Sequence, residues 1–178
     1  MNQSLVMTII ALDRPGIVER VSACVADHGG NWLESRMCRL AGRFVGLARV
    51  EVPAGRVAEL LHALQGLEAD GLRVVLESGV SEAGPSGATF QLELVGQDRP
   101  GILRAVTGVL AAHGVNVEEL SSDCVSAPMG GGNLFQARAR VVVPTGVKLE
   151  EVRAGLEKIA HDLMVDLRLQ PARAEAHR

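Results

Sequence analysis

The chain has 178 residues, 47% of them hydrophobic and 22% charged, with a formal net charge of -3 at pH 7. That length and apolar fraction are enough to bury a core and suit two domains somewhat smaller than usual. Only 2% of the residues are aromatic, none is Tyr, and the arginines are scattered. This composition excludes a single-strand nucleic-acid binder built on stacking rings and argues against any direct nucleic-acid partner, which would need clustered cations.

The first residues lack a basic stretch followed by an apolar run, so no signal peptide is expected. The apolar stretch Leu5 to Leu12 is far shorter than the ~20 residues of a membrane helix, so no membrane partner is expected either. Within it Leu5, Met7 and Ile9 alternate with Val6, Thr8, Ile10 and Leu12, the period of a strand. The second set is more apolar than a solvated face requires. A domain or subunit contact would account for it, as would an ordinary buried strand.

The strand runs into Asp13-Arg14-Pro15-Gly16-Ile17. Pro suits a first helical turn, and the Asp carboxylate can lie near a helix's unpaired amides. Ile17, Val21, Cys24, Val25 and His28 then recur at helical spacing, and Gly29 follows as a C-terminal cap. Asn31 to Leu40 and Phe44 to Val52, joined at Ala41-Gly42-Arg43, read as a β-hairpin that stops at Pro53. Val57, Leu60, Leu61 and Leu64 mark a second helix, and Leu72, Val74 and Leu76 a final strand. Ser78 to Ala88, rich in Gly, Ser and Pro, has the composition of a linker.

The same order then repeats. Nineteen positions, Asp13 to Asn31, align without a gap onto Asp98 to Asn116, and ten are identical, including the whole Asp-Arg-Pro-Gly-Ile phrase. An 85-residue spacing is too long for a solenoid unit and suits a small domain used twice. Phe90, Leu92 and Leu94 supply the strand, and Ile102, Val106, Val109, Leu110 and His113 the helical stripe. The strand with Phe135, Ala137, Ala139, Val141 and Val143 ends at Pro144, as its counterpart ends at Pro53. Here the offset has grown to 91, which places six inserted residues in the second hairpin loop, around Ser126 to Asn133. Val152, Leu156, Ile159 and Leu163 mark the last helix, and Val165, Leu167 and Leu169 the last strand.

Strand, helix, strand, strand, helix, strand is the ferredoxin-like βαββαβ arrangement, an α+β fold with an antiparallel sheet and its helices on one face. The expected domains are 1-79 and 89-170, with a linker at 80-88 and a polar tail at 171-178.

The chemistry is concentrated at the repeated turns. Main-chain amides at a helix start lack intrahelical partners and carry the positive end of the helix dipole, so Gly16-Ile17 and Gly101-Ile102 can hold a carboxylate. Asn31 and Asn116 each offer an amide oxygen for an ammonium group and an amide NH2 for a carboxylate. The same residues are also sound helix-start and turn chemistry, so a purely structural use is the alternative. Trp32 and Leu33 stand where the second copy has Val117 and Glu118, so two sites, if both exist, differ.

Other patterns carry less. Cys24 and His28 are helical neighbours, but a histidine in a last turn commonly caps or packs, so no metal is expected. Cys38 and Cys124 read as small, semi-buried strand residues, and the three cysteines match neither disulfide nor zinc spacing, which fits a reducing cytoplasm. Gly130-Gly131-Gly132-Asn133 lacks the Lys-Ser/Thr of a phosphate loop and reads as a hairpin tip. No nucleophile with a base, carboxylate pair or metal triad stands in a supporting context, so an enzyme is not expected and no cofactor is implied.

The Asp-Arg-Pro-Gly-Ile turns, the His-Gly-x-Asn entries to the second strand and the order of elements resemble the ACT domain family, over nearly the whole chain from Leu5 to Leu169. The resemblance implies small modules that bind amino acids, usually where two modules meet. Carried over by position, it implies a site of Asp13, Arg14, Gly16, Ile17 and Asn31, with Asp98, Arg99, Gly101, Ile102 and Asn116. A free-standing pair of such modules is most similar to the glycine cleavage repressor subgroup. That implies a cytoplasmic regulator that senses a small amino acid, glycine as the first guess, and acts through a protein partner such as a LysR-type transcription factor. A homodimer is compatible with this. A regulatory subunit of an amino-acid or one-carbon metabolic enzyme is the alternative.

Overall fold

In the computed structural model, residues 1–78, 86–127 and 131–172 are described. The chain divides into two units, Met1–Glu82 and Ala83–Arg178, each with its own core. Most of the expected linker, the tail beyond 172, and Gly130 of the inserted loop lie outside the described residues.

Unit 1 comprises β1 (Asn2–Leu12), α1 (Ile17–Asp27), β2 (Asn31–Leu40), β3 (Arg43–Pro53), α2 (Val57–Gly66) and β4 (Leu72–Ser78). Unit 2 comprises β5 (Gly87–Gln97), α3 (Ile102–Ala112), β6 (Asn116–Ser126), β7 (Asn133–Pro144), α4 (Leu149–Leu163) and β8 (Val165–Pro171). The sheets run β2-β3-β1-β4 and β6-β7-β5-β8, and every described neighbouring pair is antiparallel. Each half is therefore the ferredoxin-like α+β arrangement that the periodicities imply.

Alternation on the strands and a 3.6-residue stripe on the helices meet in one layer of side chains. Leu5, Met7, Ile9 and Ala11 point inward from β1, each no more than 2% exposed. They pack with Ile17, Val21 and Val25 of α1 and with Leu60 and Leu64 of α2. Unit 2 repeats this with Phe90, Leu92, Leu94, Ile102, Val106, Leu110, Val152 and Leu156. Burying one such side chain contributes roughly 1.5–3 kcal/mol, so these mostly aliphatic faces supply most of the stability of each core.

The helix ends are as regular as the core. Gly29 N–H donates to Ala26 O at 2.8 Å and Gly30 N–H to Val25 O at 2.9 Å. In α3 Gly114 N–H reaches Ala111 O at 3.0 Å and Val115 N–H reaches Leu110 O at 2.9 Å. Both are Schellman ends, which require a left-handed residue, and Gly29 and Gly114 have φ of 70° and 67°. Ala41 and Gly42, with φ of 47° and 75°, form the two-residue turn between β2 and β3. The hairpins also share a bulge: pairing slips between Trp32 and Glu34, and at the same place between Val117 and Glu119.

Candidate functional site

The helix starts differ from the expectation in one respect that bears on chemistry. Pro15 lies in the turn ahead of the helix, which begins at Ile17. The residue before it, Gly16, has φ of 89° and offers no side chain to cap the first amides; Gly101 before α3 has φ of 94° and likewise makes no side-chain cap. Asp13 and Asp98, expected near those amides, are used elsewhere. The reason is geometric: a left-handed glycine turns the chain so that the carboxylate faces the sheet edge. The first-turn donors of α1 and α3 are thus left without a side-chain acceptor.

The two aspartates meet different partners. Asp13 is paired with Arg39 of β2, Nε to Oδ2 at 2.8 Å. The residue aligned with Arg39 is Cys124 of β6, whose thiol faces Asp98; desolvation first, and then the Asp98 carboxylate, push that thiol up from its ordinary pKa. A guanidinium therefore stands against the first carboxylate and a neutral thiol against the second. The arginines differ as well. Arg14 donates from Nη2 to Asp70 O at 2.7 Å, and Arg20 forms an ion pair with the Asp70 carboxylate, which tie the first turn to the end of the second helical segment. Arg99 donates to Gln97 Oε1 at 3.3 Å, within its own turn, and among the described residues has no counterpart of the Arg14 contact.

Ile17 and Ile102 are buried, whereas Asp13, Arg14, Gly16, Asn31 and their counterparts Asp98, Arg99, Gly101 and Asn116 are exposed. Within one unit the asparagine does not join the turn. Asp13 N–H bonds to Gly42 O at 3.0 Å, which fixes the turn at the hairpin end of the sheet. Asn31 pairs with Glu51, at the far end of β3. The 11 residues of α1 lie between them, about 16 Å of helix. Asp98 and Asn116 are separated in the same way by α3. No single small zwitterion spans that distance.

Side chains beside the second turn differ too. In unit 1 Met37 lies on Gly46, where an added Cβ would fall 2.6 Å from Met37 Cγ. The aligned pair in unit 2 is Ser122 and Ala137, and an apolar cavity of about 20 Å³ lies there, lined by Leu103, Val106, Val117, Phe135 and Ala137 among others. Leu103 and Val117 directly follow Ile102 and Asn116 in the chain.

The remaining candidates resolve simply. His28 Nδ1 bonds to Cys24 O at 2.7 Å and His113 Nδ1 to Val109 O at 2.9 Å, so both histidines tie down helix ends. Cys38 and Cys124 are on strands but exposed rather than semi-buried, because β2 and β6 are edge strands. Among the described residues no three His, Cys, Asp or Glu cluster as a metal site, and no helix is long and apolar enough to cross a membrane.

Family models described as ACT domain match residues 3–76 and 90–138, one on each unit. The chain belongs to the ACT domain family. It is 30% identical over 120 residues to the glycine cleavage system transcriptional repressor of Escherichia coli K12, a match covering 66% of this chain and 63% of that protein. The match thus spans less than two thirds of that curated relative's length. The crystal structure of an unknown protein from Galdieria sulphuraria superposes with a TM-score of 0.84 at 30% identity, covering 97% of this chain and all of that one. A crystal structure described as a glycine cleavage system transcriptional repressor superposes at 0.70 over 97% of this chain and 99% of its own, at 21% identity, which speaks for the fold. Sequence reading missed the Arg39-to-Cys124 exchange that distinguishes the two ACT modules, although the gapless alignment of the repeats contained it.

Proposed function

We propose that this ACT protein is an amino-acid-responsive regulator, not an enzyme, that works in the cytoplasm through a protein partner. A small amino acid, glycine first, binds where two ACT modules meet. Its carboxylate takes the uncapped amides at Gly101-Ile102, and the asparagine that completes the site comes from a different module than the turn, because within one module the two lie a helix length apart. The observation that carries this reading is the second turn itself. Its amides lack a side-chain cap and its carboxylate, Asp98, faces a thiol instead of a guanidinium, leaving it to receive the ligand's ammonium group. Asp13, already held by Arg39, makes the first turn the weaker site.

Binding at a junction favours one arrangement of the modules, and a partner that prefers that arrangement gains or loses affinity by the same coupling energy. A net charge of -3 and scattered arginines favour action through another protein, such as a LysR-type transcription factor, over direct DNA contact.

Calorimetric titration with glycine and a panel of amino acids tests this, using the wild type and Cys124→Arg. The substitution gives Asp98 the cation that Asp13 has, and binding should weaken at least tenfold. Unchanged affinity in Cys124→Arg removes Asp98 from the site. Affinity capture from the native host that recovers a metabolic enzyme in place of a transcription factor would reassign the protein as that enzyme's regulatory subunit.

A further inference from the structure

β8 is an outer strand of the second sheet, paired with β5 on one side only. Two hydrogen bonds fix which of its main-chain groups are left over. Asp98 N–H donates to Asn133 O at 2.9 Å, which turns the even-numbered residues of β5 toward β7. Ala172 N–H donates to Thr89 O at 3.0 Å, which turns the even-numbered residues of β8 toward β5. The N–H and C=O groups of Val165, Leu167 and Leu169 therefore point to the free edge. Along that edge runs a groove of about 290 Å³ between β8 and α4, with Leu156, Leu167 and Leu169 in its lining, so the helix leaves the strand uncovered. An open edge of this kind is a template for another strand.

We propose that two copies of this chain dimerise through β8, edge to edge and antiparallel, as one eight-stranded sheet. A two-fold axis normal to the sheet, between the two Leu167 residues, sets Leu167 against its own counterpart and Val165 against Leu169 of the second copy. All of these are residues whose main-chain groups face the edge, so each pair exchanges ladder hydrogen bonds. The same register sets Asp166 against Arg168 twice, at the closer, non-hydrogen-bonded positions, where opposite charges stabilise a strand pair. Both side chains are exposed, and among the described residues neither has an ion-pair partner within its own chain. Gln170 falls opposite Met164, a neutral pair at each end. The charged α4 side chains that line the groove, Arg153 and Glu157, are of opposite sign, so they bring no net like charge to the junction. Sliding either strand by two residues brings Asp166 against Asp166 or Arg168 against Arg168, so one register is selected. Charged residues on an edge ordinarily deter pairing. An acid and a base placed symmetrically about a hydrogen-bonding residue instead attract their own copy. The duplicated strand supplies the contrast: β4 has Arg73 and Val75 in those places, with Arg73 3.8 Å from Glu68. Its edge has no acid–base pair in this register, and set against β8 it would oppose Arg73 to Arg168. The main-chain ladder and the two ion pairs, more than buried area, hold the dimer, as in other strand additions, which makes association concentration-dependent.

Sedimentation velocity on the full chain without added amino acid, from about 1 to 300 µM, the range that micromolar association requires, tests the proposal. The wild type should move from the mass of one chain to twice that mass as concentration rises. Arg168→Asp and Asp166→Arg each set like charges in opposition, and each should raise the dimer dissociation constant at least tenfold with an unchanged circular dichroism spectrum. Combining the two substitutions restores opposite charges across the axis, and that double variant should dimerise like the wild type. A wild type that remains monomeric over the whole range, single variants that dimerise unchanged, or a double variant that fails to recover overturns the assignment. The outcome is independent of amino-acid binding at the turns.

Discussion

Replacing Gly101 by Ala tests the feature on which the donor arrangement depends. Gly101 has φ of 94°, and a Cβ built on it meets nothing within 4 Å, so a methyl group there causes no clash. The cost is backbone strain alone, about 1–2 kcal/mol for an L-residue held in the left-handed region. Gly108, inside α3, likewise has open space around an added Cβ but lies in the helix interior, where Ala is favoured over Gly by about 1 kcal/mol. With a urea slope of about 1–3 kcal/mol per M, Gly101→Ala should lower the unfolding midpoint by about 0.5–1 M, and Gly108→Ala should raise it by about half as much. Equilibrium urea unfolding followed by far-ultraviolet circular dichroism measures both. If Gly101→Ala is neutral or stabilising, the turn at the start of α3 is not left-handed.

Other outcomes follow from individual contacts. Leu60, fully buried in the first core, should cost about 2–5 kcal/mol when cut to Ala, and Trp32, the sole tryptophan and packed on that same core, should report it as a lower fluorescence-detected midpoint. Asp70 is held below the usual aspartate value first by its hydrogen bond to Arg20 and then by that arginine's charge. Because its folded pKa is depressed, the contact's contribution is present above the unfolded aspartate pKa and fades as the pH falls through the lower folded value. A carboxyl NMR titration should find a depressed midpoint for Asp70 that returns toward normal in Arg20→Met, and an unchanged midpoint would remove the contact. Gly46→Ala, with its Cβ 2.6 Å from Met37 Cγ, should destabilise unit 1, and adding Met37→Ser, the residue of the second copy, should restore most of the loss in a double-mutant cycle.

The topology was legible because two periods and a repeated phrase agree. Leu5, Met7 and Ile9 alternate, Ile17, Val21 and Val25 recur at helical spacing, and the structure places both sets in one core. The outward apolar set on β1 was also visible, and Ile10 and Leu12 are exposed at 39% and 62%. What the sequence could not convey was direction. Nothing in Asp-Arg-Pro-Gly states that the glycine is left-handed, so the aspartate was expected at the helix amides it does not reach. The helical stripe from Ile17 to His28 already put Gly16 and Asn31 at opposite ends of a helix, whereas the site carried over by family position grouped them without regard to that length. The exposed cysteines were misjudged for a similar reason: their strands were recognised, but an edge position depends on pairing across the sheet.

A nitrogen-15 amide correlation spectrum recorded during an amino-acid titration tests the central claim most directly. The Gly101 and Ile102 amides should shift saturably, with the same midpoint as the heat of binding, and more than those of Gly16 and Ile17. Saturable binding that leaves the Gly101 and Ile102 resonances in place would contradict it.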